Sequence, residues 1–137
     1  MVVRECGGGL VFYEDSVLLE QNDKLEWAFP KGVVRKGEKV NLIAVERVKV
    51  ETGIDAEILA PCGKTKYEFY SVSRRKPVHN NVSWYVMKAT NNNPVPNPEA
   101  NVVKAEFIPV EVALKTITYS QDKTLLMMAY QKYKELT

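Results

Sequence analysis

The sequence predicts an α+β fold in which several short strands are combined with two helices. Segments rich in β-branched and aromatic residues alternate with turn residues over most of the chain. Two longer segments lack glycine and proline and place apolar residues at helical spacing. The chain has 137 residues and 45% hydrophobic content, which is the size of one compact unit. We therefore expect residues 1–137 to form a single domain with its own core.

The first forty residues are predicted to form short strands in a meander-like arrangement. These strands are Val2–Arg4, Leu10–Tyr13 and Ser16–Glu20, the last following a Glu-Asp turn. The glycine triplet Gly7–Gly9 is followed by neither G-x-G-x-x-G nor Walker spacing. A strand bulge or close packing therefore explains the triplet better than a phosphate-binding loop, and we assign it no catalytic role.

The clearest helix prediction covers Glu38–Thr52. This segment contains no glycine or proline, and Gly53 stands where a helix would end. Ile43, Ala44 and Val48 have spacings that can share one face, whereas positions 47, 50 and 51 cluster on another face. The second face is the candidate for function.

The rest of the chain is predicted to contain further strands and a closing helix. The segments typical of strands are Glu57–Leu59, Lys64–Val72, Val82–Lys88 and Val102–Ile108. The basic segment Ser73–His79 should be a loop or hairpin end, and Asn91–Asn101, rich in proline and asparagine, a surface connection. Gln121–Leu136 has one mostly apolar side and should form the last helix.

Composition excludes several classes of protein. The 19 basic and 17 acidic side chains leave a formal charge of +2, too small to indicate a nucleic-acid binder, so any phosphate recognition must be local. The two cysteines, Cys6 and Cys62, lie far apart, which suggests neither a zinc site nor a disulfide framework and favours the reducing cytoplasm. No apolar run is long enough for a signal peptide or a membrane span.

Residues 27–54 carry the strongest functional signal. Gly32 is followed after five residues by Glu38, and after seven more by Glu46–Ile54, which reads E-R-V-K-V-E-T-G-I. This spacing resembles the box G-x5-E-x7-R-E-U-x-E-E-x-G-U of the Nudix hydrolases, where U is a bulky aliphatic residue. Trp27–Gly32 also resembles the W-x-F-P-K-G segment of the diadenosine-polyphosphate and diphosphoinositol branches. The resemblance implies a mixed β-sheet in an α/β/α sandwich.

The resemblance also implies a set of catalytic and metal-binding residues. Glu51 would be the surviving helix carboxylate and, with the carbonyl of Gly32, would bind Mg²⁺ or Mn²⁺. Glu38 would lie at the junction of loop and helix, for structural support or a secondary metal contact. The metal would neutralise phosphate oxygens and activate a water molecule.

Three positions depart from the family pattern. Glu46 stands where arginine is expected, and Arg47 and Val50 stand where glutamates are expected. Arg47 should repel a divalent ion and Val50 cannot bind one, so metal binding should be greatly weakened. Glutamates from elsewhere could serve as replacements, and the candidates are Glu46, Glu99, Glu106 and Glu111.

Other residues are candidates for substrate binding or for a compensating ion pair. Lys31 and the basic run Arg74, Arg75 and Lys76 suit polyphosphate, and Tyr67 and Tyr85 suit a stacked nucleobase. For the basic run a solvated hairpin tip is an equal alternative. For the tyrosines ordinary core packing is the more frequent explanation of an aromatic residue in a strand. His79 is interpreted as a loop residue. We further hypothesise that Glu46 and Lys104 form an ion pair of reversed polarity, with two separately solvated charges as an equal alternative.

The sequence thus leaves three functional hypotheses. The first is hydrolysis of phosphoanhydride bonds in nucleoside diphosphate derivatives, with dinucleoside polyphosphates favoured and activity weakened or lost. The second is a non-catalytic protein that binds nucleotide or polyphosphate on the same scaffold, with Arg47 taking the place of the metal. The third is a structural module with no small-molecule ligand. None involves a membrane or sequence-specific nucleic acid, and the sequence does not predict an oligomeric state.

Overall fold

The computed structural model describes residues 2–137 and contains one seven-stranded mixed β-sheet with three α-helices. The strands are β1 (Val2–Tyr13), β2 (Ser16–Asn22), β3 (Trp27–Ala28), β4 (Lys31–Val33), β5 (Ala56–Ser71), β6 (Lys76–Ala89) and β7 (Val102–Pro109). The helices are α1 (Val40–Thr52), α2 (Val110–Thr116) and α3 (Ser120–Leu136), and a single 3-10 turn covers Pro98–Ala100.

The sheet divides along β1, which pairs with different strands at its two ends. The main order is β3-β2-β1-β6-β5, with β4 added to β1 and β7 added to β2. Cys6–Gly8 pair with β4, whereas Phe12 and Tyr13 pair with β2. β1 and β6 run parallel and the other pairs run antiparallel. The division leaves room for a cleft between the β2–β3 and β1–β4 branches.

Helices cover both faces of the sheet, which confirms the predicted α/β/α sandwich. Because neighbouring side chains in a strand point to opposite faces, Leu10 and Phe12 of β1 face one core and Val11 faces the other. The Val11 core packs under α1, and the Phe12 core packs under α2 and α3. The rings of Phe12 and Tyr133 stack with their centroids 4.6 Å apart, which joins α3 to the centre of the sheet.

The glycine triplet lies inside β1, which is continuous over the segment where the sequence predicted two strands. A Cβ at Gly8 would lie 2.5 Å from a ring carbon of the buried Trp84, and one at Gly7 would lie 2.5 Å from the carbonyl oxygen of Val40. Close packing of α1 and β6 against the strand therefore explains the triplet, as predicted.

Helix α1 begins two residues later than predicted and ends where predicted. The carboxylate of Glu38 accepts the backbone N–H of Arg35 at 2.7 Å, and Gly37 has a positive φ of 86°. Both features belong to a turn, so the helix starts at Val40. Gly53 adopts the left-handed conformation with φ of 72°, and its N–H closes the last turn on Lys49.

Three further segments differ from the sequence prediction. The segments predicted as strands at Glu57–Leu59 and Lys64–Val72 belong to one strand, β5, which is made irregular by register shifts near Pro61. Residues 76–79 lie in β6 instead of a loop, because the turn of the β5–β6 hairpin takes only residues 72–75. The sequence did not predict α2. No α-helix formed by residues 2–137 is both long and apolar enough to cross a bilayer.

Candidate functional site

A cleft of about 290 Å³ lies between the branches of the divided sheet and the N-terminal half of the β1–β6 pair. Its charged lining residues are Arg4, Glu20, Glu26, Lys31, Arg47 and Glu51, from β1, β2, the β2–β3 loop, β4 and α1. Gly32 and Cys6 line the same cleft. Helix α1 and strand β4 before it therefore contribute to one concave surface.

Arg47 and Glu51 form an ion pair on the cleft side of α1. The Arg47 Nε lies 2.8 Å from a carboxylate oxygen of Glu51, whose side chain is 6% exposed. The pair spans four residues, the spacing at which helical side chains meet. The Arg47 stem also rests on the Gly32 backbone, where a Cβ would lie 2.4 Å from its Cγ. Gly32 thus lets the guanidinium reach the surviving box carboxylate.

Glu20 of β2 brings a second carboxyl group to Glu51. Burial is the main cause that raises the pKa of Glu20, followed by the charge of Glu51 and a hydrogen bond between the two side chains. A hydrogen bond between two carboxyl groups requires a shared proton, and this raised pKa places the proton on Glu20. The Oε1 atom of Glu20 is buried and has no hydrogen-bond partner among the described residues.

The charges of the cleft favour an anionic ligand. Three cations and three carboxyl groups line it. With Glu20 neutral, the balance is three positive charges against two negative, a net charge of about +1. Glu26 at the rim accepts hydrogen bonds from Tyr119 and Asn22, which lower the pKa of its carboxyl group and keep it ionised.

A second cavity of about 600 Å³ continues the cleft toward the β5–β6 hairpin and shares Lys31 and Asn80 with it. The Lys31 Nζ lies 4.9 Å from the ring centroid of Tyr67, whose hydroxyl donates to Asp122 at 2.7 Å. Asp122 is buried, and burial raises the pKa of its carboxyl group although the Tyr67 hydrogen bond opposes the shift. The tyrosine ring is thus fixed beside a cation at the boundary of the two cavities.

The structure brings some sequence candidates together and separates others. Lys31, Gly32, Arg47 and Glu51 line the first cleft, and Tyr67 lines the second. Glu38 instead closes the turn before α1. Tyr85 and Tyr67 lie on opposite faces of the sheet. Neighbouring side chains of a strand alternate, so Tyr85 points away from the face of Trp84 and packs against the Val11 core under α1. Tyr85 therefore lines neither cavity, and of the two candidate stacking residues only Tyr67 does.

The basic run and the proposed reversed ion pair also lie away from the cleft. Arg74 and Arg75 occupy the exposed turn of the β5–β6 hairpin, and Lys76 begins β6. Glu46 and Lys104 are both exposed and form no ion pair in the part of the chain described. Lys104 pairs with Gln21 in the sheet, whereas Glu46 lines a separate surface depression with Glu38 and Arg47. The hypothesis of an ion pair was therefore wrong, and the structure agrees with the alternative of two separately solvated charges.

Sequence reasoning missed Glu20, Arg4 and Asp122. None of the four replacement acids suggested earlier, Glu46, Glu99, Glu106 and Glu111, lines the cleft, and Glu20 does. The available signal was a glutamate at the end of the apolar strand predicted at Ser16–Glu20, since charged residues are rarely buried without a partner or a role.

The described residues contain no group of three or more histidine, cysteine, aspartate or glutamate side chains arranged to hold a metal ion. Glu20, Glu51 and the backbone of Gly32 nevertheless fit a smaller set of ligands. Magnesium is often bound by one or two carboxylates together with substrate phosphates and water. The unpartnered Oε1 of Glu20 is an oxygen that such an ion would satisfy. The residues therefore fit one divalent ion, provided that Arg47 releases Glu51 and that Glu20 loses its proton to the solvent.

Comparison with known proteins places this geometry in a family. A profile of the NUDIX domain matches residues 2–128. A Mycobacterium tuberculosis protein named provisionally as mutator protein MutT4 is 27% identical over 81% of the chain, and an 8-oxo-(d)GTP phosphatase of Mycolicibacterium smegmatis is 27% identical over 74%. The chain spans 44% and 29% of the lengths of these two relatives.

Solved structures share the fold at low sequence identity. A Caenorhabditis elegans Ap4A hydrolase in a binary complex superposes with a TM-score of 0.75 and 20% identity, covering 96% of this chain and 98% of that one. A NUDIX hydrolase from Nitrosomonas europaea gives a TM-score of 0.72 at 15% identity, covering 92% and 69%. The family generally uses divalent metal ions and binds nucleotide derivatives. With a family profile matched over nearly its whole length, this chain belongs to the Nudix hydrolase family.

Proposed function

We propose that this protein binds nucleoside diphosphate derivatives, with dinucleoside polyphosphates favoured, and hydrolyses their phosphoanhydride bonds slowly with one divalent ion, Mg²⁺ or Mn²⁺. The observation that carries the proposal is the carboxyl group of Glu20 against Glu51 in the box cleft. Glu20 supplies one acidic side chain to a site whose helix has Arg47 and Val50 in place of two family glutamates. The Ap4A hydrolase of similar fold supports the substrate class.

Glu20, Glu51 and the Gly32 carbonyl would hold the ion together with the phosphates of the substrate. The ion, when bound, would neutralise phosphate oxygens and lower the pKa of a water molecule. Arg47 limits this reaction, because its guanidinium already pairs with Glu51 at 2.8 Å and repels a second cation. Weak metal affinity and slow turnover follow from that competition.

The remaining charges of the cleft bind and orient the phosphates. Lys31 lies at the boundary of the two cavities, where it can contact the phosphates while the nucleobase stacks on the ring of Tyr67. Arg4 is held by a 2.9 Å hydrogen bond to Asn80 and presents its guanidinium to the same cleft. Arginine forks match phosphate oxygens in geometry as well as charge. Burial of Cys6 and Cys62 as free thiols supports a reducing, cytoplasmic setting.

A second candidate function is binding without hydrolysis. The Arg47–Glu51 ion pair favours it, since a guanidinium at the position of a family carboxylate can contact phosphate directly and make the metal unnecessary. Under this hypothesis Glu20 stays protonated in the complex, and the net positive cleft alone provides the affinity.

Metal dependence separates the two functions. Binding and turnover of diadenosine tetraphosphate should be measured with Mn²⁺, with Mg²⁺ and with chelator, for the wild type, Glu20→Gln and the restored variant Glu46→Arg, Arg47→Glu, Val50→Glu. The proposal predicts slow metal-dependent turnover by the wild type, its loss in Glu20→Gln and a large gain in the restored variant. Equal binding in metal and chelator, with turnover confined to the restored variant, would instead establish the binding function. No binding under any condition would exclude both.

A further inference from the structure

We infer that the β5–β6 hairpin carries a second nucleoside subsite, in which Phe69 and Arg4 receive the far nucleobase of a dinucleoside polyphosphate. The inference rests on the proposed function, because it assumes that the first nucleoside and the phosphates occupy the cleft. It assigns a role to side chains that lie beyond the family box. Arg4 lies in β1 and Phe69 lies in β5, far apart in the sequence, and the fold brings the two side chains into contact.

Arg4 connects the cleft with the hairpin. Its guanidinium carbon lies 5.5 Å from the ring centroid of Phe69, and its Nε donates to Asn80 at 2.9 Å. The hydrogen bond fixes the guanidinium in one position, so the cation and the ring are arranged before a ligand binds. Phe69 is 43% exposed, which leaves ring surface available for stacking.

The strand register places Phe69 beside the first nucleoside position. Tyr67 pairs with Asn80 and Phe69 pairs with Val78, so the two rings lie on the same face of the hairpin. Two residues along a strand separate them by roughly 6.6 Å. Each ring has its own cation, Lys31 at 4.9 Å from Tyr67 and Arg4 at 5.5 Å from Phe69. Two such pairs side by side suit two bases joined by a folded phosphate chain.

The charge of the hairpin suits an anionic ligand that extends past the cleft. Residues 64–79 contain the cations Lys64, Lys66, Arg74, Arg75 and Lys76 and the single carboxylate Glu68, a formal charge of +4. The whole chain has +2, so the remaining residues together have −2. Positive charge is therefore concentrated on this one element, which attracts a polyphosphate toward it.

The test compares a ligand that has one nucleoside with a ligand that has two. Affinities for ATP and for diadenosine tetraphosphate would be measured by calorimetry on the wild type, Phe69→Ala and Phe69→Trp, with Val72→Ala as the control. Val72 is 83% exposed on the same hairpin. We expect Phe69→Ala to weaken the affinity for diadenosine tetraphosphate about 5- to 140-fold, the range for one stacked base, and to leave the affinity for ATP unchanged. Phe69→Trp and Val72→Ala should both retain wild-type affinities.

Each other outcome has a definite meaning. If the wild type binds both ligands equally and Phe69→Ala changes neither, the second subsite is overturned and the proposed function stands. If Phe69→Ala weakens both ligands equally, the ring acts on the first nucleoside or on the fold, and the second subsite is likewise overturned. If the wild type binds neither ligand, the proposed function itself fails.

Discussion

Replacing Glu20 with glutamine should change how the stability of the protein depends on pH. Burial and the neighbouring Glu51 raise the pKa of Glu20 above its usual value of 4.5. Between that value and the raised one, the folded protein therefore holds a proton that the unfolded chain releases. More protons bound in the folded state means that the free energy of unfolding falls as pH rises through this window.

The size of this effect follows from the number of protons. One proton corresponds to a slope of about 1.4 kcal/mol per pH unit in the free energy of unfolding. Glu20 alone should therefore lower the free energy of unfolding by up to about 3 kcal/mol between pH 5.5 and 7.5. Glutamine at position 20 is neutral at every pH and can still donate a hydrogen bond to Glu51. Its stability should therefore lack this component of the slope, and the advantage of Glu20→Gln over the wild type should grow with pH.

Urea unfolding of the wild type and Glu20→Gln at pH 5.5, 6.5 and 7.5 measures the difference directly. Glu57→Gln is a suitable control, because Glu57 is an exposed carboxylate on β5. We expect the control to follow the wild type at all three values. Parallel pH profiles for the wild type and Glu20→Gln would refute the reasoning, since Glu20 would then titrate in the fold as it does in the unfolded chain.

Three further substitutions test other parts of the structure. Gly8→Ala should destabilise the fold by about 1–3 kcal/mol in thermal or urea unfolding, because its Cβ would lie 2.5 Å from the Trp84 ring; wild-type stability would contradict the packing argument. Tyr67→Phe should cost about 1–3 kcal/mol in urea unfolding, because it leaves the buried Asp122 without its hydroxyl donor; an unchanged midpoint would show that water replaces the hydroxyl. Arg47→Ala should raise the affinity for Mn²⁺, because it frees Glu51 from its ion pair. It should also weaken nucleotide binding in chelator, because the cleft loses a positive charge, and calorimetry measures both affinities. Opposite changes would mean that Arg47 supports metal binding.

Local patterns in the sequence predicted most of the fold. The Gly53 end of α1, the close packing of the glycine triplet and the helix Gln121–Leu136 all follow from local rules and agree with the structure. Element boundaries were less predictable. The turn that delays α1 depends on the side chain of Glu38, and the length of β6 depends on cross-strand pairing with β5. Neither depends on local preference alone.

The site was predicted only where one segment supplied it. Lys31, Gly32, Arg47 and Glu51 are all within twenty-one residues of one another, and the family spacing relates them. Glu20, Arg4 and Asp122 arrive from other elements, and their positions depend on how the sheet divides and where α3 packs. Tyr85 illustrates the opposite problem, since the residue type suited stacking while strand alternation turned it toward the α1 core.

Glu20 and Glu51 must together hold a divalent ion if the protein is a slow, metal-dependent hydrolase. Direct titration of Mn²⁺ into the wild type and Glu20→Gln, with diadenosine tetraphosphate present and product release followed in the same samples, tests this claim. We predict that the wild type binds one Mn²⁺ and turns over slowly, and that Glu20→Gln loses both the bound ion and the turnover while still binding the nucleotide. Equal Mn²⁺ binding by the two proteins, or wild-type nucleotide binding without any bound ion or turnover, would contradict it.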